Sequence, residues 1–297
     1  MPENSSTIDW IGYTFHETPV HFDKIAKYPA GLTVRGFQRD RGLLGYPVCW
    51  EFEDGRLELT HPSQERMGTH IIYSGSCLAT IYYNNGLTPL EILQFYFNKA
   101  TLARLDLCHD IFEQRINFER LIQQSRKGKA VTAAKSVRRV KEIGAPGDTL
   151  YVGSETSEKR ARIYDKAAEQ ELTWLQWTRV ELQTRNDAAR QVELVIQASN
   201  YSPGVIPELI RGFIDFPDYD EWHTAFDCDV VGITVPRSRP SSSREWLEKQ
   251  CIRAIAREIA KSDGDEWWIK FKQAILDVAK DEAAKWLSKG DWDAIPF

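Results

Sequence analysis

Short apolar stretches in the first quarter of the chain predict β-strands. Four of them are rich in β-branched and aromatic residues: 10–15, 32–37, 48–52 and 69–73. Turn-forming residues lie between and after them, at Gly45, Asp54-Gly55 and Asn84-Asn85-Gly86. The pattern therefore predicts a run of strands joined by turns.

The hydrophobic period then changes and predicts the first helix. Thr88 precedes Pro89, and Glu91 follows Thr88 at the spacing of a capping box. Apolar residues recur at helical spacing from Leu90 to Phe97. We therefore expect a helix that begins directly after Thr88.

Three further strands, predicted at 102–111, 160–166 and 177–185, each have one polar face. Residues two apart point to the same side of a strand. The three polar faces carry Arg104, Asp106, Cys108 and Asp110; Arg160, Arg162, Tyr164 and Lys166; and Trp177, Arg179, Glu181, Gln183 and Arg185. Asp and Glu are poor strand formers, so their presence on these strands favours a functional role for them. A solvated face of an ordinary sheet would show the same alternation, and that alternative stays open.

Attack on a phosphodiester is the chemistry that suits such a face. A tyrosine phenol has a pKa of about 10, and we expect Arg162 and Lys166 to lower the pKa of Tyr164 and to neutralise phosphate oxygens. Three carboxylates supply the hard oxygen ligands that Mg²⁺ or Mn²⁺ prefers: Asp106, Asp110 and Glu181. A metal bound there would act as a Lewis acid on the phosphate.

A basic segment lies between the first and second of these three strands. Between Glu119 and Glu142 the chain has eight basic residues and no acidic one. The segment is either a solvated face or a contact with the DNA backbone, whose phosphates position a protein without specifying sequence. The residues that would make this contact are Arg126, Lys127, Lys129, Lys135, Arg138, Arg139 and Lys141.

The end of the chain predicts a separate helical region. Residues 236–243 have the composition of a linker, and two amphipathic helices are predicted in 244–297. The predicted organisation is a main domain over 1–235, a linker over 236–243 and a small C-terminal helical region. Strands with irregularly interspersed helices favour an α+β fold with a largely antiparallel sheet and flanking helices.

Composition narrows the class of protein. The 297 residues are 42% hydrophobic and carry a net charge of −5, which excludes a wholly basic nucleic-acid coat. Five cysteines form no CxxC pair and we find no signal peptide, so we expect a cytoplasmic protein without a membrane span. The sequence contains no P-loop, dinucleotide-binding or GxSxG motif, and its six histidines form no His-x-His pair.

Several short motifs follow one another between residues 5 and 235. They are Ile8-Asp9-Trp10, the stretch 67–75, Arg104-Leu105-Asp106 with Asp110, the stretch 149–154, Arg162 to Lys166 with Glu169, and Trp177 to Glu181. This ordered set resembles the Rep-trans type of replication initiation factor. Members of that family start rolling-circle replication of plasmids and some phages, and related proteins are relaxases of integrative elements.

The resemblance implies a site-specific, metal-dependent DNA nickase and ligase. Tyr164 matches the nucleophile, which would form a 5′-phosphotyrosyl bond and leave a free 3′-OH. The acidic positions near Mg²⁺ or Mn²⁺ match Asp106, Glu181 and, less closely, Asp110. The basic positions around the phosphate match Arg162, Lys166 and Arg179. The implied partners are double-stranded or hairpin origin DNA and a host helicase and polymerase. A homodimer suits an initiator, because one round of replication needs a nick at the start and a second cleavage at termination, and a monomer fits the same sequence.

Two other functions fit the same residues. One is a relaxase that starts conjugative transfer of an integrative element, and the other is a non-catalytic DNA-binding regulator. Tyr151, on a neighbouring predicted strand, is the nearby tyrosine that would substitute for Tyr164. The chain also departs from the family pattern at Ser76, where members often carry Gln.

Overall fold

The structure, a computed structural model, describes residues 3–235 apart from 17–27, 34, 114–115, 141–147, 173 and 228, and also 273 and 277. The chain divides into two compact units, Met1–Ser238 and Arg239–Phe297. The predicted linker and C-terminal helices lie outside the described residues except at 273 and 277, so they stay predictions. Within the described part, no helix has the length and apolar character needed to cross a membrane.

Antiparallel strands form the centre of the first unit. In chain order they are β1 (Ser5–Phe15), β2 (Gly36–Gln38), β3 (Val48–Phe52), β4 (Leu57–Thr60), β5 (Thr69–Ser74), β6 (Thr101–Phe112), β7 (Val131–Thr132), β8 (Val137–Val140), β9 (Thr149–Val152), β10 (Lys159–Asp165), β11 (Trp177–Arg185) and β12 (Ile214–Asp215). Ten of them pair in the order β2-β3-β4-β5-β1-β6-β11-β10-β9-β8, and β7 pairs with β12. This confirms the predicted α+β fold with a largely antiparallel sheet.

Helices lie between and after these strands. They are α1 (Gly75–Asn85), α2 (Pro89–Tyr96), α3 (Phe118–Arg126), α4 (Lys166–Glu169), α5 (Asn186–Ala198), α6 (Val205–Phe213) and α7 (Asp220–Ala225). Helices α1 and α2 contact β1, and α5 and α6 contact β6 and β11. The main apolar core lies between these helices and one face of the sheet, where residues such as Ile11, Leu107 and Val180 are buried.

The other face of the sheet differs along its width. Near β3, β4 and β5 it carries a small buried apolar cluster of Cys49, Leu59 and Ile72, against which Trp10 packs. Beyond β1, towards β8, the same face carries the polar residues of β6, β11 and β10. The sheet therefore has one face that α1, α2, α5 and α6 cover and one face that these four helices leave uncovered. We call them the helix-covered face and the open face below.

The predicted local signals have mixed outcomes. The capping box of α2 is confirmed, because the Thr88 side chain accepts from Glu91 N and the Glu91 carboxylate accepts from Thr88 N at 2.8 Å. Of the described residues in the segment predicted as a strand at 32–37, Gly36 and Phe37 are in a strand, which runs on to Gln38. Helix α1 is not predicted by its sequence, since its isoleucine, threonine and tyrosines also suit a strand.

Candidate functional site

The register of the central strands brings the predicted polar residues to the open face. Arg162 pairs with Glu181, and Tyr164 pairs with Arg179, between β10 and β11. Arg179 in turn pairs with Asp110 of β6. Residues directly opposite each other in antiparallel strands point to the same side. The single polar face predicted from alternation is therefore present.

Tyr164 lies near the end of β10 and is buried, with only 4% of its surface exposed. Its phenol donates a long hydrogen bond of 3.5 Å to Glu181 Oε2, and the Arg162 guanidinium lies 4.6 Å from the ring centre. Burial and then the charge of Glu181 raise the pKa of Tyr164 well above its ordinary value. Arg162 and Arg179 oppose this effect without overcoming it. The expectation of a lowered pKa is therefore wrong for the free protein.

The Glu181 carboxylate is hydrogen-bonded to both the Tyr164 phenol and the Arg162 guanidinium. Its Oε2 accepts from Arg162 Nε at 2.9 Å and from Nη2 at 2.7 Å. Burial raises the pKa of Glu181, Arg162 lowers it, and the charges of Asp106 and Asp9 raise it further, so that the net direction is upward. A carboxylate with increased proton affinity beside a phenol is suited to accept the phenolic proton.

Arg179 is held between two carboxylates. Its Nε and Nη2 donate to Asp110 at 2.7 and 2.8 Å, and its Nη1 donates to Asp9 at 2.8 Å. Trp177 Nε1 also donates to Asp110, at 2.6 Å. Burial lowers the pKa of Arg179, but the hydrogen bond to Asp110 and the charges of Cys108, Asp110 and Asp9 together raise it more. The guanidinium is thus a fixed positive charge directly opposite Tyr164 on the neighbouring strand.

Asp106 lies further along the same face and has its own partners. Arg104 donates to it through Nε at 3.0 Å and Nη2 at 2.6 Å, and Gln183 donates at 3.3 Å. The Arg104 guanidinium also lies over the ring of Trp10, 4.4 Å from its centre. Burial is the main reason that the pKa of Asp106 is raised.

The three predicted metal ligands are each paired with an arginine. Each faces a different arginine, in the pairs Asp106–Arg104, Asp110–Arg179 and Glu181–Arg162. Among the described residues, no group of three or more His, Cys, Asp or Glu is placed to hold a metal ion. Their oxygen chemistry suits Mg²⁺ or Mn²⁺, but their arrangement does not fit a three-carboxylate site.

Lys166 is close to Tyr164 but does not belong to the strand. Strand β10 ends at Asp165, and Lys166 is the first residue of α4. Its Nζ lies 5.6 Å from the centre of the Tyr164 ring and forms an ion pair with Glu169. The predicted strand face therefore ends one residue earlier, and the ammonium charge is shared with Glu169.

The basic segment does not form one surface. The register places Arg138 on the open face, opposite Tyr151, whereas Arg139 lies on the other face and pairs with Glu119 and Asp148. Lys129 pairs with Asp218. Three further predicted contacts are exposed: Arg126, Lys127 and Lys135. Lys141 lies outside the described residues.

Asp9 is a site residue that the sequence analysis quoted in a motif but did not propose for a role. It lies at an irregularity of the β1–β6 register between Ile8 and Trp10, and its carboxylate accepts from Arg179. Gly75, at the start of α1, packs closely against it, since an added Cβ there would lie 2.5 Å from Asp9 Oδ1. A charged residue inside an apolar strand is the signal that points to it.

Comparison with known proteins identifies the family. Residues 100–257 match the model of the Rep-trans family, described as replication initiation factor. This segment is more than half of the chain and contains every predicted site residue. The chain belongs to the replication initiation factor family.

A solved structure agrees with this fold. The chain is similar to a rolling circle replication initiator protein from Geobacillus stearothermophilus, with 18% identity and a TM-score of 0.59. The alignment covers 82% of this chain and 91% of that chain. At this identity the likeness shows the fold. A search of curated proteins found no match.

Proposed function

We propose that the chain is a site-specific DNA-nicking and rejoining enzyme that starts rolling-circle replication through Tyr164. The observation that carries the proposal is the Tyr164–Glu181 pair on the open face, with Arg162 on one side and Arg179 on the other. A phenol, a base and two cations are the groups that attack on a phosphodiester needs.

In the proposed step, Tyr164 Oη attacks an origin phosphate. The Oη–P bond forms, the P–O3′ bond breaks, and the phenolic proton passes to Glu181. The departing 3′ oxygen takes a proton from water and becomes a free 3′-OH, while the 5′ phosphate stays on the tyrosine. Rejoining is the reverse, with a 3′-OH as the attacking group.

Arg162 has a second part in the proposal. Its guanidinium bonds Glu181 and covers the Tyr164 ring, yet 38% of its side chain is exposed. A DNA phosphate that draws Arg162 away would free Glu181 to accept the proton and would open access to the phenol. The bound phosphate would keep the neutralising charge of the guanidinium.

The divalent cation stays a prediction from the family resemblance. Because the three predicted carboxylates face three separate arginines, the proposed step uses only groups of this chain. Bound Mg²⁺ or Mn²⁺ would supply Lewis-acid polarisation of the phosphate.

The experiment is incubation with supercoiled DNA that carries the native replicon's origin. Protein and DNA are mixed with and without Mg²⁺ or Mn²⁺ and separated on a denaturing protein gel. We expect a covalent protein–DNA band in the wild type and in Tyr151→Phe, and no such band in Tyr164→Phe. A band that needs the added cation would support the predicted metal.

Two results would contradict the proposal. A normal band in Tyr164→Phe would mean that the nucleophile is another residue, with Tyr151 the first to test. Tight origin binding with no covalent band under any cation would support the non-catalytic regulator instead. A relaxase would give the same band, and only the identity of its DNA target separates it from an initiator.

A further inference from the structure

A second basic cluster lies on the open face, at the β8 end of the sheet. Arg138 of β8 and Arg160 of β10 lie over the ring of Tyr151, with their guanidinium carbons 5.8 and 4.0 Å from its centre. Tyr151 pairs with Arg138 on one side and with Arg162 on the other, so the cluster shares the face of Tyr164. Interleaved guanidinium and aromatic groups are common where proteins bind nucleic-acid strands.

One carboxylate already occupies this cluster. Glu155 Oε1 accepts from Arg138 Nη2 at 3.0 Å and lies 3.6 Å from Arg160 Nη2. Arg185 Nη1 donates to the main-chain oxygen of Glu155 at 3.1 Å, which holds the residue in place. Two guanidinium groups from two different strands therefore meet at a single carboxylate oxygen.

The contact between Arg138 and Glu155 contributes little to the stability of the fold. The side chains of Arg138 and Glu155 are 61% and 68% exposed, and ion pairs at this exposure contribute little to stability. Arg160 is only 17% exposed, and its Nε is buried without a hydrogen-bond partner within the described part of the chain. The positive groups thus outnumber their acidic partner, and a phosphodiester would offer them two free oxygens.

We infer that Arg138 and Arg160 form a subsite for a phosphate of the DNA backbone, and that Glu155 occupies it in the absence of DNA. The inference rests on the proposed function, because it needs DNA on the open face. Arg160 precedes Tyr164 by four residues on β10, about 13 Å along the strand. At the rise of duplex DNA this is about four nucleotides from the attacked phosphate. Tyr151 acts as the spacer that orients both guanidinium planes.

The first test is the affinity of Glu155→Gln for DNA. The probe is a fluorescein-labelled hairpin oligonucleotide with a stem of mixed sequence, read by anisotropy. Removing the competing carboxylate should tighten binding about two- to fivefold, the range expected for an exposed ion pair. Glu221→Gln is the matched control, since Glu221 is also exposed and pairs with Arg120 at 3.2 Å between α7 and α3. Its affinity should stay at the wild-type value.

A double-mutant cycle separates the subsite from general charge. Arg138→Ala with Arg160→Ala should weaken binding and reduce the slope of log affinity against log salt by about one to two. In that background, Glu155→Gln should have no further effect. An equal gain in both backgrounds, or an equal gain from Glu221→Gln, would overturn the inference, because either result means that only net charge matters. Thermal melting by circular dichroism checks that the variants are folded.

Methylphosphonate substitution locates the subsite on the strand. Origin oligonucleotides carry one uncharged linkage at each position near the cleavage site. The difference between wild type and Glu155→Gln should vanish for a linkage within about four nucleotides of that site. A difference that persists at every linkage would contradict a discrete subsite.

The outcome is separable from that of the proposed function. Glu155→Gln should still form the covalent band, since Glu155 is outside the proposed chemistry. The wild type could fail to form the covalent band while the double-mutant cycle still gave the expected DNA affinities. In that case the subsite is supported and the nickase proposal fails.

Discussion

Two buried tyrosine–glutamate pairs lie on opposite faces of the same sheet. On the open face Tyr164 donates to Glu181, and on the helix-covered face Tyr13 donates to Glu193. Burial raises the pKa of both phenols. The two pairs thus share their chemistry, and what surrounds them decides what each can do.

The surroundings of the two pairs differ in charge. Tyr13 is fully buried against the ring of Tyr96, 4.9 Å between ring centres, and its phenol also reaches the carbonyl of Leu93. The pair at Tyr164 instead has Arg162 bonded to its glutamate and Arg179 directly opposite. A phosphate can replace a carboxylate beside an arginine but has no place in an apolar core. The charge of Arg190 also lowers the pKa of Glu193. What distinguishes the Tyr164 pair is therefore the guanidinium bonded directly to its glutamate and the second one opposite its phenol.

Removing each phenol oxygen gives the sharpest contrast. Tyr164→Phe should reduce nicking to background, because the attacking atom is lost, and should leave stability nearly unchanged. Tyr13→Phe should keep nicking and lower the free energy of unfolding by about 1–3 kcal/mol, because Glu193 loses a partner in the core. Covalent adduct gels and urea unfolding measure the two effects. Loss of nicking in a folded Tyr13→Phe would contradict the division of roles.

Replacing each glutamate is the second test. Glu181→Gln should lower the nicking rate about 10²- to 10⁴-fold, because the proposed proton acceptor is gone. DNA affinity should not fall, since the change removes a negative charge. Glu193→Gln should nick at the wild-type rate. Single-turnover cleavage with excess protein measures the rate, and a normal rate in Glu181→Gln would assign the base elsewhere.

The open face is predictable from sequence because side-chain alternation is a local property of a strand. The polar residues of β6, β10 and β11, including Tyr164 and Glu181, follow from spacing alone. The partners do not, since the bond from Arg179 to Asp9 joins positions 170 residues apart. Burial of Tyr164 likewise depends on side chains from other strands. That is why the direction in which the pKa of Tyr164 shifts could not be predicted correctly from the sequence.

Stability against pH is a third way to compare the faces. Burial raises the pKa of Glu193 from 4.5 to about 7. Between these values the folded chain holds a proton that the unfolded chain has released. The resulting stabilisation is present below pH 4.5 and is lost as the pH rises through 7, a change on the order of 3 kcal/mol.

Glu193→Gln should therefore flatten the fall in unfolding free energy over this pH range. The part that remains would come from other buried acids of raised pKa, including Glu181 and Asp106. Urea unfolding at a series of pH values measures the slope, with Glu221→Gln as the exposed control. An unchanged slope in Glu193→Gln would mean that this carboxyl is not held protonated by the core.

The smallest expected effect separates two of the three cations near Tyr164, Arg162 and Lys166. Arg162 bonds Glu181 directly, whereas Lys166 begins α4 and pairs with Glu169. Arg162→Met should lower the nicking rate about tenfold, as expected for one charge-assisted hydrogen bond to a phosphate. Lys166→Met should lower it less, because its charge is already shared. Single-turnover cleavage measures both rates. If Lys166→Met lowered the nicking rate as much as Arg162→Met or more, the phosphate would lie on the α4 side of Tyr164. The cation that assists Tyr164 would then come from the helix and not from the sheet.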